Sequence, residues 1–191
     1  MKQRQSSKVA VISIFFAVML VVHLLSSVIF NVLPLPIKPT LLSIPVIVAS
    51  IIYGPRIGAT LGFLMGMISL ITNTVVLLPT SYLFSPFVEN GNFYSLIIAL
   101  VPRILIGVTP YYVYKLFQKV DKLGLILAGA IGSLTNTIFV LGGIFILFSS
   151  VYNGNIQALL AIVLGTNSIA EMIIAAILTL IIVPRLKKIR A

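Results

Sequence analysis

The chain has 191 residues, of which 60% are hydrophobic and 8% charged, a balance that excludes a soluble globular domain and fits a polytopic membrane protein. Its net charge of +10 does not point to nucleic acid, because the basic residues stand at the edges of apolar runs. Charge in that position sets membrane topology.

The length allows about six spans of roughly 20 residues and no separate soluble domain. We therefore expect an all-α fold: one integral membrane domain over 1–191 with six transmembrane helices. The first span is expected at 8–30. A basic start followed by an apolar run has the pattern of a secretory signal, but Val9 to Phe30 is too long and lacks a small-x-small cleavage site. It reads as a retained helix. The next stretch, Asn31-Val-Leu-Pro-Leu-Pro-Ile-Lys-Pro39, holds too many prolines for a regular helix. Span 2, over 41–53, is short for a bilayer and is expected to be tilted or sunk in the protein. Gly54-Pro55-Arg56 makes a tight turn into span 3, 56–77, where Gly58, Gly62 and Gly66 repeat a close-packing G-x-x-x-G on one face. A loop over 78–92 carries Pro79, Pro86, Gly91 and the aromatics Tyr82, Phe84 and Phe87. Spans 4, 5 and 6 follow at 93–117, 124–149 and 157–184, and a basic tail ends the chain. Six spans place both termini on one side. Of the 13 basic residues, all but Lys38 and Arg103 lie on that side, so the positive-inside rule puts the termini in the cytoplasm.

Arg103 is the outlier. It lies inside an apolar run, directly after Pro102, with no acidic residue within ten positions. An arginine at membrane depth is costly and needs a partner, a wet cavity or an anionic ligand. Pro102 removes a backbone donor and favours a kink. In this topology Arg103 lies roughly 15 Å below the outer end of its span at about 1.5 Å per residue. Asn167 is at similar depth, with Glu171 one turn deeper on the same face. Asn136 lies near the middle of span 5, Asn73 in the outer part of span 3, and His23 in the outer part of span 1. A lone intramembrane amide is as readily helix–helix glue as a ligand contact. The convergence of Arg103, Glu171 and three amides on one layer favours a substrate pocket. Two other roles stay open for Glu171: a structural salt bridge with Arg103, and proton carriage. His23 is itself more plainly a satisfied polar side chain than a ligand contact.

Catalysis is not expected. The chain has no cysteine and a single histidine, which removes thiolate chemistry and a histidine metal cluster. It has no G-x-x-x-x-G-K-[ST] phosphate loop, no Ser/His/Asp arrangement and no paired aspartates in the spans. Ser13 and Ala17 form a small-x-x-x-small pair near the start of span 1, suited to internal packing or to a partner helix.

Five stretches together resemble the substrate-binding S components of the energy-coupling factor (ECF) vitamin transporters. They are Ile51-Ile-Tyr-Gly-Pro-Arg-Ile-Gly-Ala59, Pro79-Thr-Ser-Tyr-Leu-Phe-Ser-Pro-Phe87, Val101-Pro-Arg-Ile-Leu-Ile-Gly107, Gly132-Ser-Leu-Thr-Asn-Thr137 and Thr166-Asn-Ser-Ile-Ala-Glu171. The resemblance covers nearly the whole chain and is closest to the pantothenate-type S component. It implies six helices in the bacterial cytoplasmic membrane and a vitamin site near the outer face. It implies a lid from the loop between spans 1 and 2, with Pro36 and Lys38, alongside loop residue Phe84. It also implies a complex with the transmembrane coupling subunit EcfT and two cytoplasmic ATPases. ATP and Mg then belong to the partners, with no cofactor in this chain. The family's coupling contact in span 1 is usually Ala-x-x-x-Ala; here it reads Ser13-x-x-x-Ala17. For pantothenate, Arg103 would clamp the carboxylate, the asparagines would bond the amide and hydroxyls, and Glu171 would accept from a hydroxyl. An S component for another vitamin or precursor (hydroxymethylpyrimidine, folate, riboflavin) would use the same residue types. An autonomous proton-coupled carrier and a purely structural membrane subunit are the readings from other classes.

Overall fold

The computed structural model describes residues 2–32, 41–78, 80–148 and 155–190, and the side chains of 7–29, 41–78, 80–148 and 167–189. Among the described residues there are seven α-helices, one 3-10 turn and no strand. The helices are α1 (Lys2–Val32), α2 (Ser43–Tyr53), α3 (Pro55–Val75), α4 (Phe93–Ile106), α5 (Thr109–Leu116), α6 (Asp121–Leu147) and α7 (Asn155–Arg190), with the 3-10 turn at Ser81–Leu83. Among the described residues, five segments are long and apolar enough to cross a membrane: Ser7–Ile29, Pro55–Val75, Phe93–Leu116, Asp121–Leu147 and Asn167–Ile189. The sixth apolar helix, α2, has 11 residues and reaches only about 16 Å, half the hydrocarbon core.

α2 is the centre of the bundle. Every residue from Ser43 to Ile51 is buried, as expected for a helix that is apolar all round. It touches α1, α3, α4, α5, α6 and α7. Val46, Ile47 and Ala49 have no exposed surface and join Met19, Leu61, Ile106 and Leu125 in the main apolar cluster. Gly54 ends α2 at φ 96°, where a side chain would be strained. Pro55 then opens α3 at its first turn, where a missing N–H costs nothing. The tight turn expected at Gly54-Pro55 is present.

α3 lies along α4, and the glycine stripe is the reason. A Cβ at Gly58 would lie 2.0 Å from the Gly107 carbonyl oxygen, one at Gly62 2.2 Å from the Arg103 carbonyl oxygen, and one at Gly66 2.9 Å from the Ala99 carbonyl oxygen. Three turns of α3 therefore press directly on the backbone of α4 and of Gly107, which caps it.

Two boundaries depart from the expected spans. The run 93–117 is two helices rather than one. Pro110 cannot donate to Ile106, so α4 closes through 3-10 bonds, Gly107 N–H to Ile104 and Val108 N–H to Leu105, both 3.0 Å. α7 runs past Pro184 to Arg190 rather than stopping there. Its last turns stay helical because they are packed: Val183 is fully buried, Leu186 leans on the main cluster, and Lys187 is anchored. Lys187 donates to the Tyr114 hydroxyl, lies 4.4 Å from that ring's centroid and pairs with Asp121 at 3.4 Å. Tyr114 also donates to Asp121. This cluster ties α5, the start of α6 and the end of α7 together. α1 differs from the other helices: 6% of its apolar window is buried within the protein, against 44% for α3.

Candidate binding site

The loop over 78–92 closes the end of the bundle opposite the Tyr114–Asp121–Lys187 cluster, and it is built rather than slack. Ser81 Oγ accepts from the Leu78 N–H at 2.9 Å and bonds Val76 O at 3.1 Å and Asn73 Oδ1 at 3.3 Å. Ser85 Oγ meets Thr74 Oγ1 at 2.7 Å. Asn92 and Ser95 form a capping box at the start of α4, and Ser95 Oγ reaches back to the Tyr82 carbonyl at 2.5 Å. Leu83 is buried with Ile98, Val140, Ile144 and Phe148 in a second apolar cluster. Tyr82 meets Phe148 edge-on at 6.0 Å.

Beneath this loop lies a cavity of about 280 Å³. Leu42, Met65 and Ile68 line it from the main cluster side, and Phe84, Val140 and Leu141 from the loop side. Polar groups enter from five helices: His23 from α1; Ser69, Thr72 and Asn73 from α3; Arg103 from α4; Asn136 and Thr137 from α6; Asn167, Ser168 and Glu171 from α7. The sequence placed five side chains in one layer, Arg103, Asn73, Asn136, Asn167 and Glu171, and left His23 as a sixth candidate that was more plainly a satisfied polar residue. The fold brings all six to this one cavity, together with loop residue Phe84.

They do not stand there on equal terms. Arg103 is 8% exposed. Its Nη1 donates to the Ile98 carbonyl at 2.8 Å, and its guanidinium carbon lies 5.0 Å from the centroid of the Phe84 ring. Its Nε is buried without a hydrogen-bond partner. Glu171, 9% exposed, lines the same cavity. Asn136 and Asn167 each hold a buried Oδ1 with no hydrogen-bond partner. An orphaned buried polar atom costs about 1–3 kcal/mol, so three around one cavity mark a place where a polar guest is favoured. Asn73 differs. Its Nδ2 donates to the Ser69 carbonyl at 2.8 Å and its Oδ1 accepts from Ser81 at 3.3 Å. It lines the cavity, yet it also fastens the loop to α3. His23 Nε2 lies 3.4 Å from Thr72 Oγ1, so α1 too is joined to α3 at the cavity wall. Pro36 and Lys38 lie outside the described residues.

Residue-by-residue reading overlooked Ser69, Thr72, Thr137 and Ser168. Thr137 donates to Ser168 at 2.8 Å across the α6–α7 seam. A signal for most of them is in the sequence: the tripeptide Thr-Asn-Ser/Thr occurs at Thr72–Thr74, Thr135–Thr137 and Thr166–Ser168, once on each of α3, α6 and α7. Neighbours on a helix diverge by about 100°, and a cavity this wide accommodates both the asparagine and the residue beside it.

The profile of the family described as "ECF transporter, substrate-specific component" matches residues 7–183. The chain belongs to this family. It is also 48% identical over 195 aligned positions to the pantothenic acid transporter PanT of Lactococcus lactis subsp. cremoris (strain MG1363), an alignment that covers 100% of this chain and 98% of the relative. The chain is accordingly a multi-pass cell-membrane protein and a transport component rather than an enzyme. It works with a small-molecule substrate and within a membrane complex of ECF subunits.

Proposed function

We propose that this protein is the pantothenate-binding subunit of an ATP-driven importer. Pantothenate carries a carboxylate, an amide, two hydroxyls and a pair of methyl groups. Arg103 takes the carboxylate. The Oδ1 atoms of Asn136 and Asn167 accept from hydroxyl and amide donors, with Glu171 within the same polar wall. Met65, Ile68 and Val140 suit the methyl groups. The observation that carries this reading is the orphaned trio of Arg103 Nε, Asn136 Oδ1 and Asn167 Oδ1 around one cavity. The full-length similarity to a pantothenic acid transporter supports the choice of ligand.

In this reading the chain crosses the membrane with six segments and both termini in the cytoplasm, and the loop over 78–92 faces outward with the cavity beneath it. The coupling subunit docks on α1 at Ser13 and Ala17, both exposed, and two ATPases supply the energy with ATP and Mg. Calorimetry on purified protein tests the ligand. Pantothenate should bind, and its uncharged alcohol analogue should bind far more weakly. Equal affinity for the two would remove the carboxylate clamp, and no binding of pantothenate would remove the assignment.

A further inference from the structure

Pro102 and Arg103 act as a unit. In an α-helix the N–H of residue i bonds the carbonyl of i−4. Pro102 has no N–H, so the Ile98 carbonyl lacks its helical donor. Ile98 is 1% exposed, and a carbonyl freed inside a membrane-spanning helix needs a replacement donor. The donor is instead Arg103 Nη1, at 2.8 Å. A helical side chain leans toward the N-terminus of its own helix, which makes this reach from 103 back to 98 natural.

The consequence is orientation. A guanidinium is flat and presents donors along its edges. With Nη1 held by Ile98 and the plane packed beside Phe84, the edge that remains is Nε with Nη2. Nε is buried without a partner, and Nη2 lies beside it on the same edge. That edge is a two-pronged fork for an anion. The other side of α4 is immobilised as well, since Gly62 packs on the Arg103 carbonyl.

The geometry points to Pro102 as a positioning residue for ligand binding: by withholding a backbone donor from Ile98, it docks one arm of Arg103 and presents the Nε/Nη2 edge to a carboxylate in the cavity. This rests on the proposed carboxylate site and adds what aims the arginine.

The test is Pro102→Ala, which returns an N–H to the helix. Ile98 then takes its ordinary bond and Arg103 loses its tether. Affinity for pantothenate should fall about tenfold to a hundredfold, the scale of one charge-assisted hydrogen bond, while the thermal midpoint holds or rises. In an Arg103→Ala background the same change should leave affinity unaltered, because Pro102 acts through Arg103. A ligand-free readout stands beside these. In isotope-labelled native protein, rotation about the Arg103 Nε–Cζ bond should be slow enough to resolve the two Nη groups by NMR, and Pro102→Ala should average them. Pro102→Gly restores the same N–H and serves if the alanine variant does not fold. Unchanged affinity with unchanged Arg103 signals would overturn the inference, as would an equal loss of affinity in the Arg103→Ala background. If native protein binds no pantothenate, the ligand assignment fails, whereas the NMR comparison still decides whether Pro102 holds Arg103.

Discussion

Arg103 does two things at once, and its substitutions separate them. One arm satisfies the Ile98 carbonyl and the rest of the group faces the cavity. Arg103→Ala should therefore lower the thermal midpoint modestly and cost about 2–5 kcal/mol of ligand binding, the range for truncating one partner of a buried charge pair. Arg103→Lys should recover only part of the affinity, since an ammonium keeps the charge without the planar fork. Calorimetry with the carboxylate ligand and its alcohol analogue checks both: the preference for the carboxylate should vanish in folded Arg103→Ala protein. Asn136 and Asn167 make the opposite trade. Each buries an unpartnered oxygen, so Asn136→Leu should raise the thermal midpoint of ligand-free protein, because an orphaned acceptor costs about 1–3 kcal/mol. The same change should weaken ligand binding by at least about tenfold. A variant that binds as well as native protein would move Asn136 from the site to the scaffold.

At the level of elements, the seam between α3 and α4 sets where Arg103 stands. Gly62 carries the tightest consequence for the site, since an added Cβ would lie 2.2 Å from the Arg103 carbonyl oxygen. The listening side is backbone, which has no rotamer to yield, so α4 itself must shift. Gly62→Ala should lower the thermal midpoint and weaken ligand binding together, although the methyl group never reaches the cavity. Gly142, with nothing within 4 Å of an added Cβ, is the matched control: Gly142→Ala should leave affinity unchanged and favour α6 slightly through helix propensity. Thermal unfolding and calorimetry on the two variants check this pair. The loop over 78–92 belongs to the same scale. Ser81, Ser85 and Ser95 tie it to α3 and α4, which keeps Phe84 against the guanidinium.

At the level of the whole molecule, α1 is the least covered of the five membrane-length segments among the described residues. Met19 is fully buried against the core, and Phe15 meets Tyr53 edge-on at 5.8 Å, but Ser13, Ala17, Val18 and Val21 are exposed. A smooth small-residue face lets another helix approach closely. If the coupling subunit docks there, Ser13→Leu should abolish uptake in cells that carry the complete transporter and leave pantothenate affinity of the isolated subunit unchanged. Uptake by the chain alone in proton-loaded vesicles would instead establish an autonomous carrier. Labelling of a cysteine placed at Ala191 should occur only from the cytoplasmic side; labelling from outside would reverse the topology and the sidedness of the cavity.

The helical class, the membrane setting, the glycine stripe and the layer of polar residues follow from the sequence alone, because hydropathy and helical periodicity are local properties of the chain. Arg103 could be singled out for the same reason: a charge in an apolar run is conspicuous without any fold. The division of labour among the polar residues was decided only by tertiary structure. Asn73, Asn136 and Asn167 sit in near-identical Thr-Asn-Ser/Thr tripeptides, yet Asn73 is bonded at both ends while the other two keep an orphaned oxygen. The difference lies in what stands opposite each amide: Ser81 from a folded loop for one, an open cavity for the others. Likewise, Pro102 announced a freed carbonyl within reach of its neighbour Arg103, but that the guanidinium lies beside Phe84, 18 residues upstream of Pro102, appears only in the fold. Hydrogen-bond partners distant in sequence are chosen by packing, and packing exists only once the helices have met.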